Sequence, residues 1–350
     1  MARKFITERR PTATRSVPRT DVVPRPPERT YSIEEALDVF ILAKEAEGVR
    51  ERTIADYRSH VGYLSEYLSE NYPEVLDDIG ALTPNIIREY VNYLRKERKL
   101  YKGAEFRNEI ERKGLAVNTI NMRLRTLKTM CRFWYAESIA PINAMENIGQ
   151  VRDDSKKEVE GFRDDALTKI LDSLDDRQFA QWRDKVLMYL MLDTGMRPEE
   201  GTTVKISQFD FTRLVVVVPS EIAKNRRDRE IPITREVAKM IKALYEESCQ
   251  YFGPQEYVFI NAYGQPFTSG AFRKRLNRMK KNLGLDKVFP NMFRHTFARN
   301  YILKGGDIFT LQIILDHADI KTTRKYVQMS NEDVKLQHNK YSPVRRYLRR

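Results

Sequence analysis

The stretch LDHADIKTTRKY, residues 315–326, ends in a tyrosine that follows a histidine by nine positions. Three more stretches with functional side chains precede it in the same half of the chain: TGMRPEE at 194–200, KNRRDREIPI at 224–233 and NMFRHTFA at 291–298. Each is ordinary when taken alone, because arginines often follow helix ends and basic residues often form exposed turns. Together they supply six arginines, three lysines, two histidines and one tyrosine, and cationic side chains of this kind suit a negatively charged partner such as a phosphodiester.

The chain of 350 residues is strongly basic, because 62 Lys and Arg against 49 Asp and Glu leave a formal net charge of +13. Hydrophobic residues make up 41%, which is enough for a folded core and excludes a fully disordered chain. A basic excess of this size fits either general solubility or a polyanionic partner such as DNA. Composition alone leaves both interpretations open.

The sequence gives no sign of a membrane or metal partner. It contains no run of 18 apolar residues, and its N-terminus lacks the apolar segment of a secretory signal. Two cysteines and four dispersed histidines form neither a disulfide framework nor a pattern of metal ligands. We therefore expect no membrane partner, no metal, and a cytoplasmic, nucleoid-associated location.

Changes in composition along the chain predict five segments. The first 30 residues carry eight arginines and lysines interleaved with five prolines, and the segment from Gly149 to Gly161 is almost free of apolar residues. The predicted organisation is a flexible basic arm at 1–30, a helical core DNA-binding domain at 31–148, a linker at 149–163, a catalytic domain at 164–330 and a basic tail at 331–350.

Helix signals dominate the first half of the chain. Ser32 and Glu35 can form a capping box that starts a helix running to about Ala46, and an apolar stripe at 54–68 predicts a second helix. A third helix is expected to begin at Thr83–Pro84 and a fourth at Thr119. The charge-dense segment 96–113 is expected to be a solvated connection or a frayed helix end.

The second half mixes helices with short strands. The predicted helices lie near 164–174 and 178–192 and begin at about 234, 269, 290 and 307. The predicted strands lie at 214–218, 229–233 and 256–260, where β-branched or alternating residues occur. The fold class predicted for the chain is therefore mainly α with a small β-sheet, an α+β arrangement.

Two basic clusters are candidates for DNA contact. The fourth helix is expected to carry its basic residues on its surface, and the turn of 224–229 carries two further arginines. A basic helix face is more often a solvated surface, but the charge of the whole chain favours phosphate contact here. The candidate DNA-binding residues are Arg123, Arg125, Lys128, Arg132, Arg226 and Arg227.

The four stretches, in this order and with this spacing, resemble the tyrosine recombinase and phage integrase family. The match includes an acidic residue, Glu200, three positions after the first arginine. The resemblance implies a helical core-binding domain followed by a mixed catalytic domain, and it covers residues 31 to about 330. It implies a site-specific, integrase-type recombinase that cuts and rejoins DNA through a 3′-phosphotyrosyl intermediate without metal, ATP or other cofactor.

Each catalytic residue type suits a step of that reaction. Arg197 and Arg294 can meet the oxygens on which negative charge grows, and Tyr326 can attack while storing the phosphate as an ester. Lys224 is the candidate general acid for the leaving 5′ hydroxyl. His317 is expected to hydrogen-bond the scissile phosphate.

The chain departs from the family pattern at two positions. Asn291 stands where a histidine is usual, and it can donate a hydrogen bond to phosphate but cannot move a proton near pH 7. Asp316 stands where a glycine is common. His295, which directly follows Arg294, is expected to point to another side of its helix and to be structural.

The resemblance implies double-stranded DNA as the partner, at attachment or recombination sites of a phage, a transposon or another mobile element, and a role in chromosome resolution stays open. We expect a monomer that assembles into a homotetramer on DNA, with DNA-bending accessory factors. The tail at 331–350 would dock on a neighbouring protomer or remain a frayed basic end. Two alternatives stay open: a DNA-binding regulator with impaired or lost catalysis, and an enzyme that relaxes DNA like a type IB topoisomerase.

Overall fold

The computed structural model describes residues 29–98, 114–153, 161–223, 225, 227–326, 335 and 338–347. These residues form two compact units that divide between Lys156 and Lys157. The predicted arm at 1–30 and connection at 96–113 lie largely outside the described residues, and so do residues 154–160 of the predicted linker and part of the tail.

The first unit is helical throughout its described part. It contains α1 (Ile33–Ala46), α2 (Glu51–Asn71), α3 (Glu74–Asp77), a 3₁₀ turn (Ile79–Ala81), α4 (Pro84–Lys96) and α5 (Val117–Ala136). The Ser32–Glu35 capping box is formed, and Thr83 caps α4 in front of Pro84. The four long helices predicted in this half are therefore confirmed, with α5 starting two residues before Thr119.

Apolar stripes from these helices meet in one core. Phe40 of α1, Leu64 of α2, Tyr90 of α4 and Trp134 of α5 are almost fully buried there. The indole Nε1–H of Trp134 donates to the carbonyl oxygen of Ala36 at 2.8 Å, so α5 is tied to α1 inside the core.

The second unit holds most of its helices around a second core. Its helices are α6 (Asp164–Asp172), α7 (Phe179–Thr194), α8 (Pro198–Thr202), α9 (Arg235–Phe252), α10 (Ser269–Asn282), α11 (Asn291–Leu303), α12 (Ile308–Leu315) and α13 (Ile320–Arg324). A short helix, Val344–Tyr347, lies in the tail. The predicted helices near 164, 178, 234, 269, 290 and 307 are confirmed.

The sheet has three antiparallel strands in the order β1 (Phe209–Asp210), β2 (Val215–Val218) and β3 (Arg229–Pro232). Val216 lies opposite Ile231, which places alternate side chains of both strands in the core. The prediction of a strand at 256–260 was wrong. That segment forms only isolated bridges, Lys205 with Tyr257 and Ile260 with Pro266, and its apolar residues are buried without a ladder.

No helix in the described part of the chain is both long enough and apolar enough to cross a bilayer.

Candidate active site

Gly195 ends α7 and sets the course of the backbone toward Arg197. Its φ of +63° is left-handed, and a Cβ there would lie 2.4 Å from Cδ1 of Phe297, so only glycine fits. The carbonyl oxygen of Gly195 accepts a hydrogen bond from Nη1 of Arg294 at 2.7 Å. The end of α7 and the middle of α11 are therefore joined at the site.

Arg294 is held inside the second unit by backbone oxygens. Besides Gly195, its guanidinium donates to the carbonyl oxygen of Leu315 at 2.7 Å, and the residue is only 5% exposed. Burial and the nearby Arg197 cation lower the pKa of Arg294 to about 10. It remains protonated at neutral pH, so a fixed positive charge faces Tyr326.

The environment of His317 defines its tautomer. Nε2 lies 2.9 Å from Nη2 of Arg294, which can only donate, and Nδ1 lies 2.8 Å from the hydroxyl of Thr323. His317 is therefore neutral, with its proton on Nδ1. Burial and the charges of Arg294 and Arg197 lower its pKa from 6.5 to about 4, which agrees with this assignment.

Tyr326 lies among these residues. Its ring is parallel to that of His317 within 10°, with centroids 6.3 Å apart, and its hydroxyl lies 2.8 Å from Nδ1 of His295. Burial raises the pKa of Tyr326, and the Arg294 charge partly opposes that shift.

The expectation that His295 points away from the site was wrong. Neighbours on a helix do face different directions, but Tyr326 comes from another segment and packs over the side that His295 presents. Burial and Arg294 lower the pKa of His295 to about 4, so the imidazole is neutral and can accept the Tyr326 hydroxyl proton. The helix-spacing argument could not have revealed this contact.

Arg197 lies in a network of charges with Glu200. Nη1 donates to Oε1 of Glu200 at 2.8 Å, and Arg229 donates to Oε2 of the same carboxylate at 2.6 Å. Burial raises the pKa of Glu200, but the two arginines lower it by more, so the carboxylate stays ionised. Sequence reasoning found Arg197 and Glu200 but gave Arg229 no role, although it lies in the quoted motif.

The remaining predicted site residues are placed differently. Lys224 and Arg226 lie outside the described residues. Asn291 is exposed at the first position of α11, and no hydrogen bond of its side chain is found among the described residues. The structure thus brings Arg197, Arg294, His317 and Tyr326 together and adds His295, Glu200 and Arg229.

Residues 161–333 match the Phage integrase family. The chain is a member of the tyrosine recombinase, or phage integrase, family. The tyrosine recombinase XerC of Staphylococcus epidermidis is 25% identical over 276 residues, which cover 77% of this chain and 89% of the relative. The enzyme class is that of a site-specific DNA recombinase.

Solved structures share the fold. The Tn1549 transposon integrase in complex with a circular intermediate DNA superposes with a TM-score of 0.65 at 18% identity, over 87% of this chain and 99% of that one. XerH site-specific recombinase bound to a palindromic difH substrate gives 0.63 at 19% identity, over 88% and 84%. The predicted fold class, mainly α with a small β-sheet, is confirmed for this recombinase.

One of the candidate DNA-binding residues was assigned to the surface incorrectly. Arg123 is only 7% exposed, and its guanidinium lies over the ring of Tyr63 at 3.9 Å, because an arginine can be buried on an aromatic face. The other described candidates are exposed, and these are Arg125, Lys128, Arg132 and Arg227. A contact of Arg123 with DNA is therefore not expected.

No group of three or more His, Cys, Asp or Glu that could hold a metal ion occurs in the part of the recombinase that the structure describes.

Proposed function

We propose that this recombinase cuts and rejoins double-stranded DNA at specific sites through a 3′-phosphotyrosyl intermediate, with no metal ion or ATP. The observation that carries the proposal is the position of the Tyr326 hydroxyl, 2.8 Å from His295 and beside the His317–Arg294 pair. A tyrosine oxygen next to buried cations and neutral imidazoles is arranged for attack on an anionic phosphorus centre.

In the proposed reaction, the oxygen of Tyr326 bonds to phosphorus as the bond from phosphorus to the 5′ oxygen breaks. Arg197 and Arg294 stabilise the charge that grows on the non-bridging oxygens. Lys224 gives a proton to the leaving 5′ oxygen, and the Tyr326 hydroxyl passes its own proton to Nδ1 of His295. The reverse attack by a 5′ hydroxyl on the phosphotyrosine rejoins a strand, because the ester retains the energy of the broken bond.

His295 has a distinct role in this scheme. Neutral Nδ1 accepts the hydrogen bond of the Tyr326 hydroxyl and so fixes the direction in which the oxygen lone pairs point. We assign it as a positioning residue in the DNA-free state.

Double-stranded DNA is the proposed partner. The exposed basic residues Arg125, Lys128, Arg132 and Arg227 are suited to backbone phosphates, and Asn291 at the start of α11 is proposed to donate to a phosphate. We further propose a homotetramer on DNA, with the tail at 331–350 docked between protomers, accessory bending factors, and a mobile element, phage or transposon, as the source of the sites.

The test is a covalent adduct. The protein is incubated with nicked duplexes from the ends of its own element and then separated on a denaturing gel. The wild type should form an adduct and Tyr326→Phe should form none while binding DNA equally well, because only the nucleophilic oxygen is removed. Tyr301→Phe, which changes a tyrosine of the same apolar cluster, is the matched control and should keep the adduct.

The two alternatives predict other results. A regulator without catalysis would bind its site but give no adduct with any substrate. An enzyme like a type IB topoisomerase would relax supercoiled plasmids that lack the site. A full-yield adduct with Tyr326→Phe would remove Tyr326 as the nucleophile.

A further inference from the structure

Asp316 has an unusual backbone for its residue type. It follows α12 with φ +52° and ψ +55°, in the left-handed region that favours glycine, with asparagine and aspartate the next best tolerated. The carboxylate is therefore not needed for the turn, since glycine would form it with less strain. The contacts of the carboxylate must therefore account for an aspartate at this position.

Three side chains converge on that carboxylate. Oδ2 accepts from Nη1 of Arg197 at 3.2 Å and lies 3.5 Å from Nη1 of Arg229, and Oδ1 accepts from Nδ2 of Asn225 at 2.8 Å. Asp316 also presents its carbonyl oxygen to Arg197 at 2.9 Å and to Asn225 at 3.0 Å. An anion with two oxygens thus lies where a phosphate would meet Arg197.

We propose that the carboxylate of Asp316 is an internal competitor that occupies the phosphate-binding position of Arg197 until the phosphodiester of DNA displaces it. The inference rests on the proposed function in requiring that a DNA phosphate bind at Arg197. The carboxylate and a phosphodiester both carry negative charge, so they cannot share one guanidinium without repulsion.

The same contact links the site to the turn that precedes β3. Asn225 directly follows Lys224, and its amide is bound to both the side chain and the carbonyl oxygen of Asp316. Displacement of the carboxylate by phosphate removes one of these two bonds and keeps the other. The turn thus remains attached through the backbone oxygen while the charge at Arg197 becomes free for DNA.

Salt dependence of binding tests the competition. In wild type the charge of Arg197 is already compensated, so its phosphate contact releases few counterions. In Asp316→Asn the cluster of Arg197, Arg229 and Glu200 keeps one carboxylate for two guanidinium groups and so carries one uncompensated positive charge. The slope of log affinity against log salt should therefore steepen by about 0.9 on B-DNA. Affinity at low salt should rise on the order of tenfold, as expected when one charge-assisted contact is gained. Binding is measured in a Tyr326→Phe background, which prevents cleavage.

Matched variants separate charge from structure. Asp319→Asn makes the same charge change three residues away and keeps the cap of α13, so its slope should equal that of wild type. Asp316→Gly, which also loses the Asn225 contact, should steepen the slope like Asp316→Asn. Arg197→Gln should cancel the added slope. Asparagine and glycine both suit the left-handed backbone, so the variants are expected to fold.

An unchanged slope in Asp316→Asn, or a weaker affinity at low salt, would overturn the competition. A steeper slope shared by Asp319→Asn would also overturn it, since the effect would then be general charge. The result is independent of the adduct test. A wild type that forms no adduct but shows the slope change would reject strand cleavage and keep the competition.

Discussion

The two units of the recombinase differ in the number of charged side chains that they bury. Among the described residues, the first unit, or helical unit, buries a single charged side chain, Arg123. The second unit, which is the catalytic unit of the proposed function, buries Arg183, Asp184, Glu200 and Arg294. Buried charges cost free energy unless they are paired. The catalytic unit is therefore organised partly around buried charges, whereas the helical unit is organised around apolar packing.

The catalytic unit contains two kinds of buried charge. Arg183 pairs with Asp184 at 2.7 Å, lies over Phe267 and donates to the carbonyl oxygen of Ile260, so this group fastens the segment at 256–260 that lacks a ladder. Arg294 instead faces Tyr326, and Glu200 pairs with Arg197 and Arg229 beside it. The comparison teaches that burial of an arginine alone does not mark a catalytic role; the neighbouring nucleophile does.

The largest expected effect is at Glu200. Glu200→Gln removes the buried carboxylate that Arg197 and Arg229 share, and Asp316 is then their remaining acidic partner among the described residues. Loss of a buried ion pair costs about 3–5 kcal/mol. The free energy of unfolding of the catalytic unit should fall by that amount, measured with guanidinium. Trp182 reports this unit once Trp134→Phe has removed the other tryptophan.

The control for Glu200 is Glu230, which lies on β3 next to Arg229. Glu230 pairs with Arg213 at 2.7 Å, but both side chains are about half exposed, so Glu230→Gln should lower the free energy of unfolding far less than Glu200→Gln. Equal losses for the two variants would contradict the contrast between buried and exposed pairs.

Acid should weaken the catalytic unit next most strongly. His295 and His317 have pKa values near 4, below the ordinary 6.5. Between these two values the imidazoles are protonated in the unfolded chain but neutral in the folded unit. Their stabilisation is complete above about pH 6.5 and is lost as the pH falls toward 4. After allowance for solvent screening we expect about 1–2 kcal/mol for each histidine.

The acid effect is checked by unfolding at pH 7.5 and pH 4.5. His295→Gln should remove part of the pH dependence from the catalytic unit. The helical unit, whose His60 also has a pKa lowered by burial, should change less because it holds one such histidine. A pH dependence unaltered by His295→Gln would contradict the assignment of that residue.

The smallest effect is expected in the helical unit. The buried hydroxyl of Tyr90 makes no hydrogen bond of ordinary geometry within the described residues. Burial raises its pKa, and the nearby Arg123 guanidinium partly opposes that shift. Tyr90→Phe removes this polar atom, so the free energy of unfolding should rise slightly, by less than about 1 kcal/mol. Trp134 fluorescence measures it in a Trp182→Phe background, and a loss above 1 kcal/mol would show a hidden partner.

The sequence predicted most of the fold because its signals are local. Capping residues such as Ser32 and Thr83 and apolar stripes predicted the starts of the long helices within three residues of the observed ones. The two-residue strand β1 carries too few residues for a period to show. The segment at 256–260 was misassigned because an apolar run indicates burial but does not say whether a ladder or side chains provide it.

The sequence predicted the site residues that belong to recognisable motifs, but not the contacts between those residues. Arg197, Arg294, His317 and Tyr326 follow from four stretches in a fixed order. The contact between His295 and Tyr326 joins residues 31 positions apart and depends on how the segment after α12 folds back. Sequence periodicity describes one helix and contains no information about its partner.

Gly195 limits how this sequence can diversify. A side chain at this position would adopt a left-handed backbone and would clash with both Phe297 and Leu315. It would therefore require smaller side chains at both of those positions. Each reduction made first would open a cavity in a packed interior. No single substitution of Gly195 is therefore expected to be tolerated. A library of variants selected for folding should keep glycine at 195, whereas exposed positions such as Glu199 should vary.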